Sequence, residues 1–114
     1  MTNNDLLQHA TEFVFTPAGT DRKDPDARHF RVTVSWRGED TWAVTWMGEC
    51  WNGTEWEWEP SPSSREEDFL ARCRFTLEEA CNHARVLADT VMPNGATYAQ
   101  WQARRTALQE AAGQ

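Results

Sequence analysis

Residues 29–59, HFRVTVSWRGEDTWAVTWMGECWNGTEWEWE, decide the fold class. From His29 to Trp36 the residues Phe30, Val32, Val34 and Trp36 alternate with Arg31, Thr33 and Ser35. A period of two sends one set to each face of a β-strand, so this strand has one apolar and one wet face. After a turn at Arg37 to Asp40, Trp42, Val44 and Trp46 alternate with Thr41, Ala43 and Thr45, which reads as the return strand of a hairpin. Asn52-Gly53 is the commonest two-residue hairpin signal. It predicts a further strand at Glu55 to Glu59, with Trp56 and Trp58 inward and the three glutamates outward.

Outward from this block, Thr11 to Thr16 reads as another strand with Phe13 and Phe15 on one face, closed by Pro17 and Gly19. Residues 1–10 are polar apart from Leu6 and Leu7 and are expected to be a flexible segment or one short helical turn ahead of a single domain at 11–112. On the other side, Pro60 to Ser64 makes a loop, because proline cannot donate to a sheet ladder. The stretch 65–75 fits two readings, an edge strand with Phe69, Ala71, Cys73 and Phe75 inward, or a short helix over Arg65 to Ala71.

Thr76 and Glu79 form a capping box, and Leu77, Ala80, Cys81, Ala84, Leu87, Ala88 and Val91 follow at three-four spacing. The pattern predicts an amphipathic helix lying on the tryptophan face, ended by Pro93, Asn94 and Gly95. Thr97 and Gln100 repeat the capping pattern, so a second helix should run from Tyr98 toward Gln109 with Tyr98, Trp101 and Leu108 inward. Strands first and helices last predict an α+β fold: an antiparallel sheet of about four strands with two C-terminal helices packed on one face.

The chain has 114 residues, seven tryptophans, five phenylalanines and a formal charge of -7. A domain of this size hides a modest share of its surface, so its core leans on those large side chains. From Glu39 to Glu79 eleven acids face three bases, Arg65, Arg72 and Arg74, whereas the remainder of the chain is nearly neutral. Non-specific nucleic-acid binding draws on Lys and Arg neutralising phosphates, so this segment argues against direct nucleic-acid binding and favours a protein partner with a basic surface. No apolar run reaches the ~20 residues of a membrane span, and the polar start lacks the layout of a secretory signal. Three cysteines without paired spacing fit free thiols, which makes a cytoplasmic location the expectation, as monomer or homodimer.

Several segments together resemble small tryptophan-rich acidic proteins carried by actinobacteria and their phages. They are the tryptophan hairpin ending in Glu57-Trp58-Glu59-Pro60, Pro62-Ser63-Ser64-Arg65, Phe69-Leu70-Ala71-Arg72, Arg74-Phe75-Thr76-Leu77-Glu78-Glu79-Ala80, and Asn94-Gly95 leading to Trp101. The likeness covers roughly the C-terminal half and is one of sequence style. It brings no activity with it; what it implies is a phage or prophage accessory protein.

Candidate chemistry is sparse. Cys50, Cys73, Cys81 and His83 are the one conceivable metal set, but they contain no Cys-x-x-Cys pair. Cys73 and Cys81 fall on inward positions, where a free cysteine acts as a small hydrophobe, while His83 lies off the apolar stripe and should be solvated. His9, His29 and His83 carry no nucleophile signature around them, so neither catalysis nor a cofactor is expected. Glu55, Glu57 and Glu59 share one strand face, beside Arg31 or Arg37, and read as a solvated surface. Alternation places Trp36, Trp42, Trp46, Trp56 and Trp58 toward the helix and leaves Trp51, at the hairpin turn, as the candidate for exposure.

The residues singled out for partner binding are therefore Trp51, Glu55, Glu57, Glu59, Glu66 and Glu67. They suit a non-catalytic accessory factor that occludes a host or phage protein, with charge steering the encounter and an aromatic anchor supplying affinity. The same acids, with Asp68, could imitate a phosphate line and inhibit a nucleic-acid-handling or defence enzyme. The rival class is a self-associating structural protein that pairs through an open sheet edge.

Overall fold

The alternating valines and tryptophans form the centre of the molecule. In the computed structural model, which describes residues 2–113, β2 (Val32–Trp36) and β3 (Trp42–Trp46) pair antiparallel with Val34 opposite Val44 and Trp36 opposite Trp42. β1 (Glu12–Phe15) adds antiparallel to β2, setting Phe13 against Val34 and Phe15 against Val32. Val32, Val34 and Val44 are fully buried, each contributing roughly 1.5–3 kcal/mol of apolar burial.

Among the described residues the sheet has five strands where the sequence suggests about four, β1, β2 and β3 being followed in spatial order by β4 (Glu49–Trp51) and β5 (Trp56–Trp58). The additional strand comes from Met47-Gly48. Both residues are left-handed, with φ of 48° and 82°, the geometry of a two-residue hairpin turn. That turn folds β4 (Glu49–Trp51) back on β3, and β5 (Trp56–Trp58) follows with Trp51 opposite Trp56. The Asn52-Gly53 signal therefore sits in a four-residue loop rather than a two-residue turn. Asn52 organises it, its Oδ1 accepting from the Thr54 and Glu55 N–H groups at 2.9 and 2.8 Å.

Both capping boxes form. Thr76 and Glu79 start α3 (Leu77–Leu87), and Thr97 and Gln100 start α4 (Tyr98–Ala112). Ala80, Ala84 and Ala88 face the sheet, and their small size lets α3 approach β2 and β3 closely beneath Trp42 and Val44. α4 joins the same core through Tyr98 and Trp101, but beyond these turns it leaves the body: Leu108, expected inside, is 70% exposed. A 3-10 segment, Pro25–Phe30, crosses from β1 to β2 and takes in His29 and Phe30, which the alternation assigned to the strand. Asp24 ties it to α4, accepting from Tyr98 Oη and Arg105 Nη2, both at 2.9 Å. The N-terminal residues form a short helix, α1 (Asn3–Gln8), capped by Thr2 and Asp5.

The 65–75 stretch combines its two readings. α2 (Glu67–Cys73) is a helix, and Phe75 then pairs as an isolated antiparallel bridge with Trp42. α2 does not join the α3 face. Its Phe69 and Cys73 pack on Cys50, whose side chain points away from neighbouring Trp51 and so to the opposite face of the sheet. The fold is thus a sheet with a large core on the α3–α4 side and a small second core under α2.

Candidate functional site

The acids singled out from sequence divide into two groups once α2 is in place. Glu57 and Glu59 project on the α2 side and are drawn into ion pairs. The solvated face expected for them is replaced by a cluster of four arginines. Glu57 accepts a bidentate pair from Arg72, Nε to Oε2 at 2.8 Å and Nη2 to Oε1 at 2.7 Å, and a further bond from Asn52 Nδ2 at 2.7 Å. Glu59, its side chain only 12% exposed, lies 2.7 Å from Arg37, 2.9 Å from Arg74 and 3.8 Å from Arg65. Arg74 is the most buried guanidinium, at 8%. Its Nη2 meets Glu59 by proximity of charge but without hydrogen-bond alignment, while Nη1 donates to the Cys73 carbonyl. Phe69 carries both Arg72 and Arg74 over its ring, at 5.6 and 5.4 Å.

These contacts set the electrostatics. The Arg72 hydrogen bonds, with Asn52 second, hold Glu57 at about 2. For Glu59 burial pushes upward, but the Arg37 hydrogen bond and the charges of Arg37, Arg74 and Arg65 together outweigh it and lower the carboxyl. Burial dominates for the thiols beneath. Cys73 is pushed up to about 12, with contact to Cys50 and Glu57 adding to it, and Cys50 is raised as well. Thiols so placed stay protonated and act as core packing rather than as nucleophiles. Among the described residues no group of three or more His, Cys, Asp or Glu is placed to hold a metal ion. His83, expected to be solvated, is half-buried with its ring 4.9 Å from that of Phe75.

A pH dependence follows. Arg105 and Tyr98 hold Asp24 at about 2, as Arg72 holds Glu57, against about 4 for free carboxyls. Depressed carboxylates contribute stability that is complete above the ordinary range and is lost as pH falls through the folded values. Urea midpoints should therefore be flat from neutrality to about pH 5 and fall steeply between about 4 and 2. A midpoint unchanged down to about pH 2 would show that these pairs contribute nothing.

The second group remains open to solvent. Glu55 is exposed in the β4–β5 loop, and Glu66, Glu67 and Asp68 are exposed at the start of α2. None of the four is in an ion pair among the described residues. Trp51, expected outside, is half-buried edge-on against Trp56 with ring centroids 5.3 Å apart, and its indole N–H is enclosed. The exposed tryptophans are two that alternation placed inside. Trp36 is 47% exposed, and Trp58 is 71% exposed on the open edge of the sheet.

Trp58 points to the same face as Trp56, yet it is the last residue of the last strand, whereas α3 lies over β1, β2 and β3. Alternation gives the face of a side chain but not whether anything covers it. The usable sequence signal was Pro60, which marks the strand's end close by. A groove of about 250 Å3 lies on the other, α2 face of this edge, bordered by Glu57, Trp58 and Pro60 and by Glu66, Asp68, Phe69 and Arg72, while the Trp58 ring itself leans on Gly48.

No family model, no curated protein and no solved structure matches the chain. Among the described residues no helix is long and apolar enough to cross a membrane.

Proposed function

We propose that the protein is a non-catalytic binding module that docks on a partner with a basic surface through the acidic, tryptophan-bearing edge formed by β5 and the start of α2, and acts by occluding that partner. The observation that carries this reading is Trp58, a large aromatic side chain left 71% exposed on the open edge of the sheet, with the open acids Glu66 and Asp68 on the α2 side of the same edge. An accessible tryptophan is costly to leave in water and is over-represented among residues that dominate binding energy. Glu66 and Asp68 on the α2 side, which form no ion pair among the described residues, would steer a cationic surface toward this edge. Ion pairing of Glu57 and Glu59 removes two charges from any phosphate-like row, which favours general protein docking over nucleic-acid mimicry.

The test is capture from a lysate of the source organism, comparing the wild type with a variant carrying Glu66→Gln, Glu67→Gln and Asp68→Asn. A specific partner should be retained at low salt, released as salt rises, and missed by the variant. Equal capture by both proteins would overturn the reading. So would light scattering that shows a dimer persisting in high salt, which is the signature of self-association.

A further inference from the structure

We infer that Glu49 and the tryptophans around it, on the α3 face of the sheet, form a binding site for a quaternary ammonium group, carried by a free small molecule or by a trimethylated lysine side chain. The site follows from strand register. The Met47-Gly48 turn leads β3 directly into β4 and sets Glu49 opposite Trp46, while β5 sets Trp58 opposite Glu49 on its other side. Trp51 lies two residues along from Glu49 and so on the same face, and Trp56 stands opposite Trp51. The nearest residues to Glu49 on this face of β3, β4 and β5 are thus all tryptophans.

Three observations select the ligand. The first is charge. Glu49 is half-buried and forms no ion pair among the described residues, whereas Glu57 and Glu59 on the opposite face are paired with arginines. A carboxylate without a counter-charge therefore sits among indoles, whose faces also attract cations. The second is access. α3 lies over β1, β2 and β3, and at this end of the sheet Trp58 is 71% and Met47 66% exposed. The Trp58 ring leans on Gly48, where an added Cβ would stand 3.1 Å from it, so it is seated beside the turn that leads into Glu49. Trp46, Trp56 and Trp51 support one another with ring centroids 5.8 and 5.3 Å apart. The third is the scarcity of hydrogen-bonding groups. The Trp46 indole N–H donates to the His29 carbonyl at 3.0 Å, and that of Trp51 is enclosed. A primary ammonium brings three N–H donors and a guanidinium five, against a single carboxylate here. A quaternary ammonium brings none: it presents charge on a methyl surface and asks only for aromatic faces and a nearby anion.

The experiment titrates the folded protein with choline at constant ionic strength and follows the indole N–H resonances, with Trp46 and Trp58 assigned by Trp46→Phe and Trp58→Phe. Both resonances should shift and saturate, while that of Trp36, exposed opposite Trp42 at the far end of β3, should not move. The neutral isostere of choline, with a tert-butyl group in place of the trimethylammonium, should bind roughly 5- to 10-fold more weakly, and Glu49→Gln and Trp58→Ala should each lose a similar factor toward choline. Trp58→Phe keeps an aromatic face and should give an intermediate affinity, which keeps the test decisive if the alanine variant folds poorly. Equal binding of the neutral isostere would overturn the site, as would a choline affinity indifferent to Glu49 or the lack of a saturable shift at Trp58. A short peptide carrying trimethyl-lysine identifies the source: tighter binding than choline assigns the group to a protein, and equal or weaker binding to a free small molecule. The same peptide with unmodified lysine should bind more weakly, and equal affinity would overturn the preference for a quaternary group. The site shares Trp58 with the docking reading but none of its acids. Loss of choline binding in Glu49→Gln and loss of lysate capture on changing Glu66, Glu67 and Asp68 are therefore separate results, and either reading can fall while the other stands.

Discussion

Replacing Glu59 with glutamine is expected to lower the unfolding free energy by about 3–5 kcal/mol, the usual cost of removing one partner from a buried ion pair. The substitution keeps the side chain's volume, so the loss is electrostatic. Glu59 is the common counter-charge of Arg37, Arg65 and Arg74, and without it three guanidiniums face one another with Arg74 only 8% exposed. Burial already works against the charged form of Arg74, with Glu59 opposing it. Urea denaturation of the two proteins at neutral pH measures the effect. A loss below about 1 kcal/mol would mean that the cluster behaves like a solvated surface pair. One practical result concerns partner binding: a variant that neutralises Glu55, Glu57 and Glu59 together would test the fold rather than the docking face. Glu66, Glu67 and Asp68, which carry no ion pair among the described residues, are the acids to change.

The second large effect is expected from Phe69→Ala, at about 3–5 kcal/mol for truncating a buried phenylalanine. Phe69 is the main apolar contact by which α2 holds the sheet, packed with Cys50 and Cys73 in the small core. α2 has seven residues, too few to persist without tertiary packing. Amide exchange across 67–73 should therefore accelerate even where the rest of the molecule stays protected. Retained protection there would place the anchoring of α2 in its ion pairs instead. Phe69 and Glu59 share Arg74 as a neighbour, so their effects should be coupled and the double variant should lose less than the two losses combined.

What was legible in the sequence was what is local. Period-two alternation gave β2 and β3, and each capping box lies within four consecutive residues, so α3 and α4 begin where Thr76 and Thr97 predict. The second core was not legible, because its partners lie far apart along the chain: Arg37 and Glu59 are 22 residues apart, Arg72 and Glu57 15. The 65–75 stretch was ambiguous for a geometric reason. Phe69 and Cys73 are four apart, a spacing that keeps two side chains on one face in a helix and in a strand alike. Trp58 was misplaced because alternation identifies a face, while coverage depends on how far the facing helix extends. The Met47-Gly48 turn was missed because a left-handed methionine leaves little trace in composition.

The packing of Trp46, Trp56 and Trp51 also has an optical consequence. Their rings stand in a row, with centroids 5.8 and 5.3 Å apart and planes tilted by 48° and 65°. Transition dipoles held so close and so oblique mix, and the three indoles should absorb as a coupled chromophore with a signed couplet in the far-ultraviolet circular dichroism. That couplet overlaps the helical bands, so the ellipticity would misreport helix content. It would also vanish when the β3–β5 end of the sheet opens, giving an intrinsic, label-free reporter of that end alone.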